Sequence, residues 1–430
     1  MSIADPAPPQ APGTPGSTVA PRRPGRGTRR LSGLQVLVIA LAGFALLSFV
    51  RAVTGAEPLT AGGTVGATIA LALPIGMAGL GGLWSERSGV VNIGLEGMMI
   101  LGTFFGADFA YFSHSPWVGV LGGLVGGFIG GAVHAVATVT FGVDQIVSGV
   151  AITILATGLA RYLAGVFFTG QRGGGPTQSP GIPQFSSLKV PGADSALSKV
   201  ERHHWFLVSD LAGVLRGLAT TLTPFTILLI LLFPLSWFLL WRTAFGLRLR
   251  SCGENPAAAE SLGVPVYRMK YIAVIVSGML AGLAGAFLAD FAGIYREGQT
   301  GGRGFIGLAA MIFGNWRPGG LAAGAGLFGY TDAVQSRGQA TAVHALLLLV
   351  ALLLLAIAGM MAWRRRLVPA IGAVAGAGLV FLWFGVTDDV PVELVPYTPY
   401  IITLLVLALA SQRLRMPAAD GIPWRKGQGT

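Results

Sequence analysis

The sequence predicts an all-α polytopic membrane protein of about 10 transmembrane helices, with a broken re-entrant hairpin near 304–335. Three observations predict it. Mean hydropathy is +0.68 over 430 residues, with only 11% charged; a soluble chain of this length could not bury so much apolar surface. Apolar runs long enough to cross a core about 30 Å thick recur from residue 33 to residue 411. The net charge of +11 gathers in loops that alternation places on one side of the membrane, as basic cytoplasmic loops do.

Residues 1–30 carry seven prolines and five arginines and cannot bury enough apolar area to fold, which predicts a disordered cytoplasmic tail. The run at 33–51 is long enough to span and lacks a small-residue cleavage site, so it reads as a first transmembrane helix and not a signal peptide. Further spans fall near 61–83, 90–113, 117–141, 145–168, 222–241, 271–293, 341–363, 367–386 and 399–411. Together they define a transmembrane domain over 31–412, with a core at 61–363 and a second cytoplasmic tail at 413–430. Alternating from an inside N-terminus puts Arg87, the 243–270 loop, Arg364–Arg366 and the C-terminal tail inside, and Asp388, Asp389 and Glu393 outside. Arg51, Arg296 and Arg303 break this pattern by falling on or near the outer side.

Phe305–Phe313 is too short to cross, and Gly314–Gly320 interrupts it before a second weak apolar run at 321–334. Broken backbone at membrane depth persists only where it is buried in protein or lines a cavity, so this hairpin belongs near the pathway or a subunit interface. The long outer loop, 169–221, can meet a soluble partner or serve as a spacer. Its His204–Leu218 stretch has the pattern of a surface helix. Paired glycines at 122–123, 126–127 and 130–131 recur at i+4, a spacing that lets helices approach closely in lipid. Gly278, Gly282 and Gly285 do the same later in the chain.

Chemistry-bearing residues are few. Cys252 is the only cysteine and the five histidines are scattered, which excludes an intrachain disulfide and argues against a metal site. No Gly-x-x-x-x-Gly-Lys-Ser/Thr loop occurs, and no nucleophile–base pair is evident. Glu86 and Arg87 mark a tight turn. Asn92 and Glu96 follow, four apart, expected on one helix face. A carboxylate at that depth must find a partner or water, either to line a pathway or to lock helix packing. Asp144 reads as a helix cap, and Arg161 as a side chain that snorkels outward or pairs with a carboxylate. Phe104, Asn315 and Trp316 complete the candidate pathway residues with Asn92 and Glu96; Phe104 can stack a base or simply pack.

Between two spans lies Gly246–Val264. Asn255 is a good N-cap, Pro256 suits the first helical position, Ala257–Ala259 favour helix, and Gly263 can close it in the left-handed conformation. This predicts a short polar helix, slim enough for a groove in another protein, or else an ordinary loop with a local helix.

The same stretch, Gly253-Glu254-Asn255-Pro256-Ala257-Ala258 with Glu260 and Gly263, resembles the ATPase-coupling loop of ABC transporter permeases of the branched-chain amino acid, simple sugar and nucleoside class. Ser85–Met98 resembles the signature of one permease subunit of bacterial nucleoside uptake systems, as do Gly302–Trp316 and Ser277–Ala286. The resemblance implies a multi-pass plasma-membrane protein with both termini cytoplasmic, forming the pathway of an ATP-driven importer. It implies a heterodimer with a second related permease, an ATP-binding subunit that uses ATP and Mg, and an extracytoplasmic substrate-binding lipoprotein. It implies no cofactor on this chain, no covalent chemistry and no nucleic-acid partner. Nucleosides come first as solutes, then simple sugars, then branched-chain amino acids. The rival reading is a stand-alone secondary transporter or channel, for which Glu96 would be the one strong ion-coupling candidate.

Overall fold

The structure is a computed structural model that describes residues 33–188, 191–391, 393–398, 401 and 414–427. The proline-rich tail at 1–30 and, apart from Ile401, the span expected at 399–411 lie outside the described residues. The chain divides into two compact units, Met1–Phe44 and Ala45–Thr430. Of the first, residues 33–44 are described and are helical. The second unit holds the rest of the described chain.

The regular elements among the described residues are helices, with two isolated β-bridges besides. In order they are α1 (Gly33–Thr54), α2 (Gly62–Glu86), α3 (Leu95–Ser113), α4 (Pro116–Ala135, continuing through a π turn to Thr140) and α5 (Gln145–Phe168). Then come α6 (Ala193–Glu201), α7 (Val208–Thr221), α8 (Pro224–Arg242), α9 (Ala244–Glu254), α10 (Pro256–Ser261) and α11 (Val266–Ala292). The chain goes on through α12 (Arg303–Phe313), α13 (Pro318–Trp363) and α14 (Leu367–Val386). Eight helices among the described residues are long and apolar enough to cross a membrane.

Small residues set the centre. α3, α4 and α11 pack backbone against backbone: a Cβ on Gly282 would collide with the Gly123 carbonyl, and one on Gly127 with the Gly278 carbonyl. Gly285 meets the Met99 carbonyl of α3 in the same way. Water supplies no driving force between helices in lipid, so this closeness is what holds them. The i+4 glycine ladder is therefore architecture.

α2 runs antiparallel to the first part of α13: Gly79, Gly76 and Ala72 meet Leu321, Ala325 and Gly329 in turn. Here the structure departs from the expected hairpin. The break at 314–317 is present, but the return arm does not end near 334. It continues without interruption through Trp363. A Cβ on Gly338 would strike the Ala342 Cβ, whereas side chains four apart on a straight helix are about 5–6 Å apart. α13 is thus sharply bent at 338–342. Glycine there removes the side chain that would oppose the bend, so the two expected segments are two limbs of one helix.

The long loop at 169–221 is tied down. Gln178 bridges to Arg296, the Ser179 N–H donates to the Tyr295 carbonyl at 3.0 Å, and the Phe185 N–H donates to Asp290 at 3.0 Å. α7 starts at Val208, later than His204, and lays Ala212, Gly213 and Gly217 on α2 while Leu211 and Leu215 stay exposed. Buried Asp210 takes Arg51 at 2.8 and 3.0 Å and hydroxyls from Thr60, at 2.5 Å, and Ser48. Two of the three arginines that break the charge pattern are thereby explained: Arg51 is neutralised by Asp210, and Arg303 lies 3.6 Å from Asp332.

Two outcomes check this packing. Gly282→Val forces α4 and α11 apart and should cost on the order of 1–3 kcal/mol, seen as a lower midpoint of thermal unfolding in detergent; an unchanged midpoint would refute the backbone contact. Asp210→Ala leaves Arg51 buried without its carboxylate, at about 3–5 kcal/mol. It should make the 191–221 segment protease-sensitive before the helical core.

Candidate functional site

After α2 ends at Glu86 the chain turns and re-enters the core in extended form before α3 begins. Neutral polar groups hold this segment. The Val91 N–H donates to Gln145 Oε1 at 2.6 Å, His134 Nε2 donates to the Val91 carbonyl at 3.0 Å, and His134 Nδ1 lies 2.9 Å from Ser148 Oγ. Asn92 Nδ2 donates to Ser277 Oγ of α11 at 2.9 Å. Asn92 therefore precedes the helix and shares no helix face with Glu96, contrary to the spacing argument, because buried side-chain partners stabilise the non-helical backbone.

Glu96 is the second residue of α3, and not two turns into a helix. Its carboxylate accepts the Gly302 N–H at 2.9 Å and the Gly304 N–H at 2.7 Å, the free donors at the start of α12. Only glycine fits at 304, where a Cβ would lie 2.6–2.8 Å from Glu96 atoms. A buried carboxylate and a helix end inside the protein thus satisfy each other.

Beside Glu96 is a cavity of about 320 Å³. Ile100 and Thr103 of α3, Thr153 and Thr157 of α5 and the Tyr295–Gly302 loop complete its wall. Thr153, Thr157 and Arg161 recur at i+4 on one face of α5; Arg161 is 64% exposed and reaches Glu297 at 3.5 Å. Among the described residues no group of three His, Cys, Asp or Glu could hold a metal ion. The lining offers hydroxyls, an amide and backbone groups, together with the charged side chains of Arg296 and Glu297, a mixture suited to a polar solute.

A second constellation lies at the other end of α12. Trp316 Nε1 donates to Glu86 Oε2 at 2.5 Å, and the Trp316 carbonyl accepts Arg87 Nε and Nη2 at 3.1 and 2.7 Å. Arg87 also lies 3.8 Å from Glu254. Asn315 and Trp316 both take positive φ, 54° and 52°, which the tight reversal between α12 and α13 requires.

Glu254 ends α9. Asn255 Oδ1 accepts the Ala258 N–H at 2.9 Å, Pro256 occupies the first position of α10, and Gly263 closes the turn at φ 79°. The local capping expected from the sequence is therefore present. Ala259 packs inward, while Glu254, Ala258 and Gly263 are exposed and Pro256, Ala257 and Glu260 half-buried. Gly253 is buried against the Arg87 carbonyl.

The candidate residues thus fall in separate places. Glu96 lines the cavity. Asn92 clamps the segment before it. Phe104 sits in an aromatic cluster with Phe168 and Tyr295, behind the wall. Asn315 and Trp316 join the Glu86–Arg87–Glu254 group. Asp144 caps α5 as expected, accepting two N–H groups at 2.9 Å. Sequence reasoning missed Ser277, Ser148 and His134 as clamps, since single neutral polar residues in apolar spans give no signal. The Thr153–Thr157–Arg161 spacing was a usable signal.

The chain is 33% identical over 372 residues to the guanosine ABC transporter permease protein NupQ of Bacillus subtilis, covering 85% of this chain and 97% of that protein. It is 32% identical over 363 residues to the nucleoside ABC transporter permease protein NupC of Lactococcus lactis, covering 83% and 94%. A Haloferax volcanii protein named provisionally as a glucose ABC transporter permease is 36% identical over 280 residues, covering 65% and 78%. No solved structure matches the chain. The family model for the permease component of branched-chain amino acid transport systems matches residues 64–358, which hold α2 through most of α13 and both constellations, and the chain belongs to that family.

Proposed function

We propose that this chain is the transmembrane permease subunit of an ATP-driven importer for nucleosides, with the Glu96 cavity on the solute path. The observation that carries the reading is the cavity itself. Its one buried carboxylate is already paired with backbone N–H groups, and of its other charged lining residues Glu297 lies 3.5 Å from Arg161 and Arg296 is exposed, which leaves hydroxyls, an amide and backbone groups to meet a neutral solute. A fixed unpaired charge would bind a neutral nucleoside poorly and cost desolvation. Likeness to NupQ and NupC over nearly their full lengths supports nucleosides ahead of sugars. Exposed Arg161 supports water or a partner, and not lipid, beside α5.

In this reading α9 and α10 lie on the cytoplasmic face, both termini are cytoplasmic, and the protein resides in the bacterial plasma membrane. An ATP-binding subunit with two nucleotide sites grips α10 and uses ATP and Mg; this chain binds no cofactor and performs no covalent chemistry. A second, related permease completes the pathway, and an extracytoplasmic lipoprotein delivers solute to the outer mouth. Force enters at Glu254 and passes through Arg87 to the Trp316 carbonyl. From there α12, 11 residues and about 16 Å long, carries it to the Glu96 carboxylate at the cavity. α12 acts as a connecting rod between the ATPase contact and the solute.

Uptake of radiolabelled guanosine into proteoliposomes holding the permeases, ATPase and binding protein tests the assignment. Accumulation should need ATP, and accumulation on an ion gradient without the ATPase would replace this reading with a secondary carrier. Glucose uptake in place of guanosine would move the solute class to sugars. Glu96→Gln removes charge from two hydrogen bonds worth about 1.5–3 kcal/mol each. It should lower guanosine uptake at least tenfold in complexes that still assemble; lost assembly with normal transport per complex would assign Glu96 to packing. Glu254→Arg with Ala258→Trp should leave membrane insertion intact and ATP hydrolysis running while uptake collapses. A normal ratio of ATP hydrolysed to guanosine moved would remove α10 from the docking site.

A further inference from the structure

Residues 414–427 cross the face that carries α9, α10 and the Glu86–Arg87 turn, and they touch both sides of the joint at which the force path begins. The Arg415 N–H donates to Asn315 Oδ1 at 2.8 Å. The Ala419 N–H donates to the Gly253 carbonyl at 2.8 Å, and the Ala418 N–H lies 3.4 Å from Glu254 Oε2. The Ala419 carbonyl abuts Gly89. Trp424 packs against Tyr267 of α11, ring centres 5.1 Å apart and ring planes tilted by 54°, and lies on the cluster of Cys252, Ala259, Val266 and Met269. Asp420 is buried between Glu86 of α2 and Lys270 of α11, with Arg87 beside it.

We propose that residues 414–427 form a positioning strap that locks the α9–α10 junction to the α12–α13 break, with Asp420 as its pin. The proposal rests on the permease reading for its consequence, though not for the docking itself. Three main-chain bonds from one short segment reach Asn315, Gly253 and Glu254, which lie on opposite sides of the Arg87 ion pair. The strap therefore closes a loop of contacts around the joint through which force enters. A joint closed on two sides moves as one piece; a joint held by the packing of Gly253 on the Arg87 carbonyl and a 3.8 Å ion pair with a half-exposed glutamate swings more easily.

The pin is sensitive to protons. Burial, and next the Glu86 carboxyl, push the Asp420 carboxyl up to about 9, against the smaller pull of Lys270. An undocked aspartate titrates near about 3.9. Docking is therefore complete at low pH and loosens as pH climbs toward 9, by up to about tenfold per pH unit.

Cys252, the only cysteine, is a native reporter because Trp424 covers its cluster. Alkylation of Cys252 by N-ethylmaleimide in the purified full-length protein should be at least tenfold slower at pH 7 than in a chain lacking 414–430. Expressed against that shortened chain, which cancels the chemistry of the thiol, wild-type protection should fall between pH 6 and 9. Asp420→Asn, uncharged and nearly isosteric, should hold its protection flat. Equal alkylation of full-length and shortened chains, or parallel pH profiles of wild type and Asp420→Asn, would overturn the proposal. With the ATPase bound, ATP hydrolysed per guanosine moved should rise at least threefold in the shortened chain; an unchanged ratio despite faster alkylation overturns the positioning role. Failure of any ATPase to associate with the full-length chain would instead strike the permease reading, and the Cys252 rates would still decide whether the strap docks.

Discussion

The architecture depends on how a helix that starts inside the protein finds partners for its first N–H groups. At the start of α12 the Glu96 carboxylate supplies them, from the start of α3. Two costs cancel at one place. A buried carboxylate without donors and a buried helix end without acceptors would each be costly. Together they fix two interrupted helices against each other and leave a polar cavity where the chain is broken. The abutting glycines of α3, α4 and α11 then serve a definite purpose: they make the surrounding frame stiff enough to keep that geometry.

Rigid and adjustable parts are separated accordingly. α3, α4 and α11 meet largely through backbone atoms, with little side-chain bulk between them to repack. α12 is different. It is short and amphipathic; its polar bonds lie at its ends, with Glu96 at one and the Glu86, Arg87 and Trp316 group at the other, while Gly307 in its middle lies backbone-close on Ile75 and Gly79 of α2. A short rod bonded at its tips and seated on α2 can move as a body without breaking an internal hydrogen bond. That is the mechanical property a coupling element needs, and it comes from where the buried polar groups are and where they are not.

Much of this was legible in the sequence. Apart from the run at 399–411, which lies outside the described residues but for Ile401, apolar runs located the apolar stretches of the spans to within about five residues, because each must cover a fixed thickness. Asp144, Asn255, Pro256 and Gly263 announced helix ends through capping chemistry that acts within four residues. What stayed hidden were the pairings across long separations. Glu86 and Trp316 are 230 residues apart, and nothing local in either predicts the other. Asn92 misled for a related reason. Its spacing to Glu96 suits a helix, but Ser277, Gln145 and His134, all distant in sequence, stabilise extended backbone instead. The 321–334 run is weak enough to read as no more than a hairpin arm, since its hydropathy carries no sign that α13 continues through a bend at Gly338. Arg51 and Arg303 look like faults in the charge pattern until Asp210 and Asp332 are seen beside them.

The commitments of the buried acids separate an importer driven by a partner from a carrier that works alone. An ion-coupled carrier needs an intramembrane carboxylate that is free to exchange a proton or cation in each cycle. Glu96 is committed to two N–H donors that no other side chain replaces, so releasing it would leave the start of α12 unsatisfied. Asp332 faces Arg303, and Asp210 is held by Arg51 and two hydroxyls. Glu96, Asp332 and Asp210 therefore already serve as fasteners, whereas Asp108 of α3 has a buried oxygen that no donor meets among the described residues. The adjustable charges cluster instead at the Glu254–Arg87 joint, at the edge of the helical body, where an external protein can reach them. In the proposed reading, work done there travels inward, and α12 is the helix whose two ends meet both that joint and the cavity.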